Sequence, residues 1–418
     1  MRPRSRRHVL PVDKIVIASD SFKGCLSSLE VADAVSDGVR EALPDAEIVR
    51  VAVADGGEGT YEALATALDA RRVECVAADP LMRPRRAAYG ITAGGTTAVM
   101  EMAAASGLTL LAPEERNPLE TTTYGFGQMI ADALDRGCRR FLLGLGGSAT
   151  NDGATGALAA LGFRFLDSRG GVLGHGGRIL DSIASVDSSG ADPRLRDSKF
   201  NIVCDVTSPF TGPDGAARVF ARQKGADEAA VDRLERGMKS FSALVRHTRG
   251  IDLDAAPGAG AAGGLGGGLM AFIGAELKPG ASVILDEIGF DAIIAGATLI
   301  ITGEGSLDSQ TLMGKTPAGV LARGQRQGIP VIALGGRVSD RRRLLAAGFA
   351  AIAAVTPDDM PLDIALNPAT ARNNIRQATE EIIQRLVKEQ KSLCRQDGNS
   401  TLYYINLQIA DIQAHRKL

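Results

Sequence analysis

The stretch 141–153 constrains the fold most strongly, because an apolar run there gives way to glycines and then to polar side chains. The small-residue stretch 154–161 follows, so the sequence predicts a strand, a glycine-rich turn and a helix. This order is typical of anion-binding sites, because glycines let the backbone approach a ligand and the first N–H groups of a helix lack internal partners. The turn residues that we expect to contact a ligand are Gly146, Gly147, Ser148, Thr150, Asn151 and Asp152. The alternative is an ordinary turn in which Asn151 or Asp152 only caps the helix.

The N-terminal part of the chain predicts two parallel strands, 14–19 and 47–53, each followed by a polar turn and a helix. Ser27 and Glu30 have the spacing of a capping box at the start of the first helix. Parallel strands end at the same edge of a sheet, where ligands bind, so the two turns are expected to face a common crevice. The candidate residues in these turns are Asp20, Ser21, Lys23, Asp55, Gly56, Gly57 and Glu58.

The same pattern returns near the C-terminus, where a strand at 297–302 leads into a second polar turn and a helix. The candidate residues there are Gly303, Glu304, Asp308, Gln310 and Lys315. The proline- and arginine-rich segment 79–86 indicates a crossover into another domain. We therefore predict a two-lobed α/β fold with a discontinuous first domain. Its predicted parts are 13–78 with 285–388 in the first domain, 79–284 as the inserted domain, and 1–12 and 389–418 as disordered extensions.

Composition argues against several classes of function. The net charge is −2 and aromatic residues make up 4% of the chain, so a nucleic-acid partner is not expected. No apolar run approaches the ~20 residues of a membrane span, and the N-terminal arginines lack the apolar segment of a secretory signal. The five cysteines are scattered without a CxxC pair, which argues against disulfides and structural zinc and favours the cytoplasm.

Asp205 follows a predicted strand at 201–204 and precedes a Pro/Gly turn, so it is a candidate catalytic acid or metal ligand, or else an Asx-turn residue. Two nucleotide-binding motifs are not supported. Ser309 stands where a P-loop ending near Lys315 needs glycine, and the GxGxxG within 257–268 follows no strand. The run 257–268 is instead expected to form a flexible or phosphate-facing loop.

Anion-binding turns, lysines and acids at strand ends suit phosphoryl transfer, in which a protein mainly positions groups and neutralises charge. A helix start contributes only about 0.3–2 kcal/mol, whereas enzymes lower barriers by ~8 kcal/mol or more. Mg²⁺ held by carboxylates is therefore expected to act together with lysine.

Seven motifs stand in order between residues 13 and 387. They are DSFKG at 20–24, ADGGEGT at 54–60, NPLETTTYG at 117–125, GGSATNDG at 146–153, QKGA at 223–226, the glycine-rich run 257–268 and TGEGSLDSQT at 302–311. Together they resemble the motifs of the bacterial glycerate kinases of type I (GarK-like). Ser208 departs mildly from the pattern of that family and leaves Asp205 in place.

The resemblance implies an enzyme that uses ATP and Mg²⁺ to phosphorylate D-glycerate, giving 2-phosphoglycerate or 3-phosphoglycerate, at a cleft between two domains. It also implies a flavodoxin-like domain built from both chain ends and an inserted domain like that of restriction endonucleases. As hypotheses, Lys23 and Lys315 contact a phosphate or the glycerate carboxylate. Asp205 or Asp152 takes the hydroxyl proton, and Asp205 and Asp308 hold the metal. The other candidates bind substrate or nucleotide.

Two functions of other classes remain alternatives. A NAD-dependent oxidoreductase acting on hydroxy acids would use the same sheet edge, but no strand-GxGxxG-helix unit is found. A sugar-acid-binding protein without catalysis would not need the intact acids and lysines. The expected partners are small molecules, ATP and D-glycerate, and a homodimer is left open.

Overall fold

The computed structural model describes residues 14–22, 24–53, 60–204 and 207–396. They form two compact units. One contains the described parts of Met1–Ala54 and Ile284–Leu418, and the other contains those of Asp55–Val283. The predicted extension 1–12 lies outside the described residues. Of the predicted extension 389–418, residues 389–396 belong to the helix Pro368–Gln396, and 397–418 lie outside the described residues.

In chain order, the strands of the described residues are β1 (Lys14–Ile17), β2 (Glu47–Arg50), β3 (Arg71–Ala78), β4 (Pro84–Ile91), β5 (Thr97–Glu101), β6 (Arg140–Gly144), β7 (Arg164–Leu166), β8 (Ser185–Asp187), β9 (Lys199–Val203), β10 (Glu276–Lys278), β11 (Leu299–Leu307), β12 (Val331–Val338) and β13 (Ala351–Ala354).

The α-helices of the same residues are α1 (Ser28–Ala42), α2 (Thr60–Ala67), α3 (Ala103–Ser106), α4 (Tyr124–Asp135), α5 (Thr155–Ala160), α6 (Ala216–Phe220), α7 (Glu228–Arg249), α8 (Ala261–Ile273), α9 (Gly280–Glu287), α10 (Phe290–Ile293), α11 (Thr316–Gln327), α12 (Arg341–Ala347), α13 (Leu362–Ala365) and α14 (Pro368–Gln396). None of the helices in this part of the chain combines the length and the apolar composition that a membrane crossing needs. Helices that alternate with parallel strands confirm the predicted α/β fold.

The first unit contains a five-stranded parallel sheet in the order β2-β1-β11-β12-β13. Counted along this unit, the order is 2-1-3-4-5, which is the order of flavodoxin-like sheets. Ile15, Ile17 and Ile301 on the central strands are fully buried, as expected for a parallel sheet that is covered on both faces. The sheet therefore has one edge at which all its strands end.

Helix α1 begins with the capping box that the sequence predicts. The backbone N–H of Glu30 donates to the Ser27 hydroxyl at 3.3 Å, and the Glu30 carboxylate accepts from the backbone N–H of Ser27 at 2.8 Å. The helix then packs on α14 so closely that a side chain at Gly38 would meet the carbonyl oxygen of Arg376 at 2.3 Å. Segments from both parts of the chain therefore share one core.

The second unit contains a six-stranded mixed sheet in the order β3-β4-β5-β6-β9-β10. Strands β5, β6, β9 and β10 are parallel, whereas β3 and β4 are antiparallel to their neighbours. The Phe141 and Phe200 rings stack between β6 and β9 with their centroids 4.6 Å apart. The turn predicted to bind an anion starts at the carboxyl end of β6, inside this sheet.

The run 257–268 is not the flexible loop that the sequence predicted, because its second half lies in the buried helix α8. A side chain at Gly263 would meet the carbonyl oxygen of Thr150 at 2.1 Å, and one at Gly268 would meet that of Gly153 at 2.2 Å. Glycine is required at these positions because α8 packs directly on the backbone of the turn after β6.

Candidate functional site

The five-stranded sheet has a topological switch point between β1 and β11, because the chain leaves β1 toward β2 on one side and returns to β11 on the other. Open α/β sheets bind ligands at such a point, outside the carboxyl ends of the strands. Asp20 follows β1, and its backbone N–H donates to the carbonyl of Gly303 on β11 at 2.9 Å. A side chain at Gly303 would meet the carbonyl oxygen of Leu334 at 2.4 Å, so this glycine serves the packing of the sheet.

A cavity of about 320 Å³ lies at this switch point. Its polar lining residues are Asp20, Ser21, Glu304, Ser306, Lys315, Arg337, Thr356 and Asn374, and its apolar lining residues include Phe22, Val355, Leu362 and Leu366. The structure thus brings together four residues that the sequence analysis selected, Asp20, Ser21, Glu304 and Lys315. The contributions of Ser306 and Arg337 were missed, although both follow glycines late in a strand, as Glu304 does.

Glu304 and Lys315 form the charged pair of the cavity. The Glu304 side chain is buried, and one of its carboxylate oxygens lies 3.3 Å from the Lys315 ammonium nitrogen. The other accepts a hydrogen bond of 2.5 Å from the Thr311 hydroxyl. Burial raises the pKa of Glu304, while the hydrogen bond from Thr311 and the charge of Lys315 oppose the rise. A buried acid with a raised pKa is thereby placed beside an ammonium group at the cavity wall.

Asp20 is held from two directions. Its carboxylate accepts from the backbone N–H of Ser21 at 2.6 Å and from the Thr316 hydroxyl at 3.4 Å, so the start of α11 orients it. Asp308 and Gln310 are not among the lining residues of the cavity. The Asp308 carboxylate instead caps the 3₁₀ helix Ser309–Met313 and accepts from the backbone N–H of Gln310 at 2.8 Å.

The turn after β6 is fixed by its neighbours. The backbone N–H of Leu108 donates to the carbonyl of Gly147 at 2.8 Å, and that of Ala149 donates to the carbonyl of Ser106 at 2.9 Å. Gly147 has a φ of +71°, which favours glycine. Gly146 and Ser148 are half-buried and Gly147 is exposed, so this part of the turn is open to a ligand.

Asp152 is fully buried, and its carboxylate is enclosed by protein groups. It accepts from the backbone N–H of Thr123 at 2.8 Å, from the hydroxyls of Thr122 and Thr123, and from the backbone N–H of Gly156 at 3.2 Å. Burial raises its pKa, and these hydrogen bonds oppose the rise. The N-cap residue of the six-residue helix α5 is Ala154, which makes no side-chain capping bond, so the Asp152 carboxylate contacts the start of this helix through the N–H of Gly156.

Lys224 is a buried residue of the QKGA motif at 223–226 that was not among the predicted site residues. Its side chain is 2% exposed, and its ammonium donates to the Ser148 hydroxyl and to the Thr150 carbonyl, both at 2.7 Å. Burial lowers the pKa of Lys224 to about 7, although the charge of Asp152 favours the protonated form. The local sequence, Arg-Gln-Lys, resembles a solvated charged segment, so its burial had no local signal.

Two further polar atoms of the turn are buried. The Thr150 hydroxyl oxygen and the Asn151 amide oxygen find no hydrogen-bond partner within the described part of the chain. The Asn151 amide nitrogen donates to the Met238 sulfur at 3.0 Å. Buried polar atoms that lack partners are uncommon, because they lose their bonds to water.

Some predicted site residues cannot be placed. Lys23, Asp55, Gly56, Gly57, Glu58 and Asp205 lie outside the described residues. Within the described ranges, no group of three or more His, Cys, Asp or Glu residues is arranged to hold a metal. Mg²⁺ commonly uses only one or two protein carboxylates together with substrate phosphates, and the acids Asp20 and Glu304 fit that smaller requirement.

The sequence profile of the glycerate kinase family matches residues 15–387, a range that includes both the cavity and the turn. The chain belongs to the glycerate kinase family. The resemblance stated from the seven motifs is thereby confirmed.

Relatives of known name agree with this assignment. The chain is 45% identical over 357 residues to the glycerate kinase of Bacillus subtilis (strain 168), covering 85% of this chain and 94% of the relative. It is 45% identical over 327 residues to the glycerate 2-kinase of Escherichia coli (strain K12), covering 78% and 86%. A crystal structure of a candidate glycerate kinase 2 from Salmonella typhimurium LT2 superposes with a TM-score of 0.79 at 41% identity, covering 91% of this chain and 99% of that one.

Proposed function

We propose that the protein is a glycerate kinase that transfers the terminal phosphoryl group of ATP to D-glycerate and yields 2-phosphoglycerate, with 3-phosphoglycerate as the alternative product. The observation that carries this proposal is the family match over residues 15–387. The relative from Escherichia coli named glycerate 2-kinase supports the choice of the 2-hydroxyl.

We assign the nucleotide to the cavity of the five-stranded sheet. Its apolar side chains, Phe22, Val355 and Leu366 among them, suit a flat base, and its polar residues suit the sugar and the phosphates. Lys315 would neutralise phosphate charge, and Lys23 is proposed for the same task or for the glycerate carboxylate. Glu304 would contact substrate hydroxyls or a hydrated metal.

Asp205 is the preferred base for the glycerate hydroxyl, because Asp152 is enclosed by Thr122, Thr123 and Gly156. Asp205 and Asp308 are proposed to hold Mg²⁺, which when bound neutralises charge on the transferred phosphoryl group. The carboxylates of Asp20 and Glu304 line the cavity to which we assign the nucleotide.

We also propose a cytoplasmic location, because the five cysteines are scattered along the sequence without a CxxC pair. Small molecules, ATP and D-glycerate, are the proposed partners. A homodimer remains a prediction that sedimentation of the purified protein would test.

The deciding experiment measures ATP turnover with D-glycerate and Mg²⁺, coupled to enolase without phosphoglycerate mutase. A signal establishes the kinase with 2-phosphoglycerate as product, because enolase accepts that isomer directly. A signal that appears only after mutase is added assigns 3-phosphoglycerate. If the folded protein gives no signal in either assay, the proposal is overturned. The sugar-acid-binding protein and the NAD-dependent oxidoreductase would then be the functions to test. Omission of Mg²⁺ is expected to abolish turnover.

A further inference from the structure

The burial of Lys224 is unusual for a lysine. An ammonium group loses strong hydration when it leaves water, and buried cations are normally paired with a carboxylate. The two hydrogen-bond acceptors that Lys224 has within the described residues are neutral: the Ser148 hydroxyl and the Thr150 carbonyl. The charged groups around it include Asp152 from the turn, Arg222 from its own 3₁₀ helix, which pairs with Glu228, and Arg116 from the segment packed on Gly225.

The direction of the hydrogen bond to Ser148 has a consequence for that hydroxyl. An ammonium group has three donors and no acceptor, so the Ser148 oxygen must accept from Lys224 and its own hydrogen must point elsewhere. The second bond of Lys224, to the Thr150 carbonyl, fixes the ammonium in place. Because Ser148 is half-buried at the open part of the turn, its hydrogen is free to point toward a ligand.

We propose that Lys224 is a positioning residue for Ser148, and that residues 148–151 bind a small anion through the Ser148 hydroxyl, which the buried ammonium turns outward. The unpartnered Thr150 hydroxyl and Asn151 amide oxygen are independent signs that this turn is completed by another group. A carboxylate or phosphate accepts the hydroxyl donors, and a hydroxyl of the same ligand donates to the amide oxygen. A 2-hydroxy carboxylate such as D-glycerate supplies both groups. The choice of D-glycerate rests on the proposed function, whereas the binding of an anion does not.

Loss of the proton from Lys224 removes the constraint on the direction of this hydrogen bond. The neutral amine carries a lone pair and can also accept from Ser148, so the Ser148 hydrogen is no longer held outward. The affinity of the turn for an anion therefore decreases as the pH rises through neutrality, which agrees with the lowered pKa of this lysine.

The experiment compares wild type with Lys224→Met, Ser148→Ala and the double variant. Lys199→Met is the control, because Lys199 is exposed at the other end of the parallel strands. Calorimetric binding of D-glycerate and, separately, of ATP is measured at pH 6.5 and 8.5, with circular dichroism to verify folding. We expect each single variant to lose at least tenfold in affinity for D-glycerate, and the double variant to lose no more than the larger single loss. Wild-type affinity for D-glycerate is expected to fall between pH 6.5 and 8.5, and that of both single variants to stay level.

The outcomes separate the alternatives. A loss confined to ATP supports the anion-binding turn and assigns it to a phosphate. If Lys224→Met binds both ligands as tightly as wild type does, the proposal is overturned. It is also overturned if Lys224→Met loses affinity while Ser148→Ala binds normally, because Lys224 would then have only a structural role. Absence of any anion binding by wild type also overturns it. If Lys224→Met does not fold, Ser148→Ala and the pH dependence of wild type decide. Lysine-dependent binding without ATP turnover would refute the kinase function and keep the anion site.

Discussion

Glu304 combines burial, a raised pKa and contact with Lys315, and it lines the cavity to which we assign the nucleotide. Such a combination is frequent among functional acids, because burial is tolerated where a charge is used. The replacement Glu304→Gln keeps the shape and the contact with Thr311 but removes the negative charge.

We expect Glu304→Gln to lower kcat/KM about 10- to 100-fold, which is the usual range for loss of a residue that supports a bound metal from its outer shell. The enolase-coupled assay measures this, with thermal melts to verify folding. Glu381→Gln on the exposed face of α14 is the control and should match wild type. Unchanged kcat/KM in Glu304→Gln would remove Glu304 from the site.

Lys224 also predicts how stability depends on pH. Its pKa is about 7 in the folded protein, against ~10.4 for an unfolded lysine. Between these pH values the unfolded chain binds more protons, so this residue makes the free energy of unfolding rise with pH. The destabilisation by the buried charge is complete below pH 7 and disappears toward pH 10.

Lys224→Met removes this titration. The Tm of the variant minus that of wild type should therefore be most positive below pH 7 and should decrease steadily up to pH 10. Thermal melts across pH 6–10 measure the difference, and Lys199→Met should follow the wild-type slope. Parallel curves for Lys224→Met and wild type would show that Lys224 is not buried as a charge.

The sequence located Asp20, Ser21, Glu304 and Lys315 because each follows an apolar run that predicts a strand, and parallel strands end together. The strand itself extends further than predicted, since β11 runs to Leu307 and includes Glu304. Lys224 could not be found in this way. Its burial results from tertiary packing between distant segments, which local pattern does not encode. Asp152 shows the same limit: its position in the turn was predictable, but its enclosure by Thr122 and Thr123 was not.

Helix α8 shapes the turn after β6 by approaching its backbone, and glycines make the approach possible. The composition of 257–268 alone predicted a loop, since glycine is a poor helix former. The close packing against 150–154 overrides that preference. Edge strand β3 was also overlooked, because charged residues interrupt its first half and leave only the short apolar run 75–78.

Gly268→Ala is expected to destabilise the protein by about 1–3 kcal/mol, because the new methyl group would meet the Gly153 carbonyl oxygen at 2.2 Å. The gain in helix propensity, ~1 kcal/mol, is too small to offset the clash. Urea unfolding measures the effect. Gly94→Ala, at an exposed glycine with no atom within 4 Å of the added carbon, should be nearly neutral. Equal stability of both variants would mean that α8 does not pack as described.

The two units differ in continuity along the chain. All strands of the six-stranded sheet lie within 55–283, whereas the five-stranded sheet needs β1 and β2 from before this segment and β11–β13 from after it. β1 stands between β2 and β11, so each part of the first unit lacks a sheet neighbour without the other.

We therefore expect a fragment of residues 55–283 to unfold cooperatively on heating, since it retains its whole sheet and core. A fragment of residues 284–418 should show no cooperative transition, because it lacks β1 and the helix α1 that packs on α14. Circular dichroism melts of the two fragments test this. A cooperative transition in the second fragment would show that β1 is dispensable for the first unit.

Because β1 pairs with β11, its pairing is completed only late in synthesis on the ribosome. Its apolar residues Ile15, Val16 and Ile17 emerge early, but the strand that covers its second edge begins only at Leu299. At ~5–20 residues per second, that edge stays open for roughly 15–60 s in the nascent chain. An open apolar strand pairs readily with other chains. The yield of native protein in a cell thus depends on how this early segment is shielded until the last third of the chain has been translated.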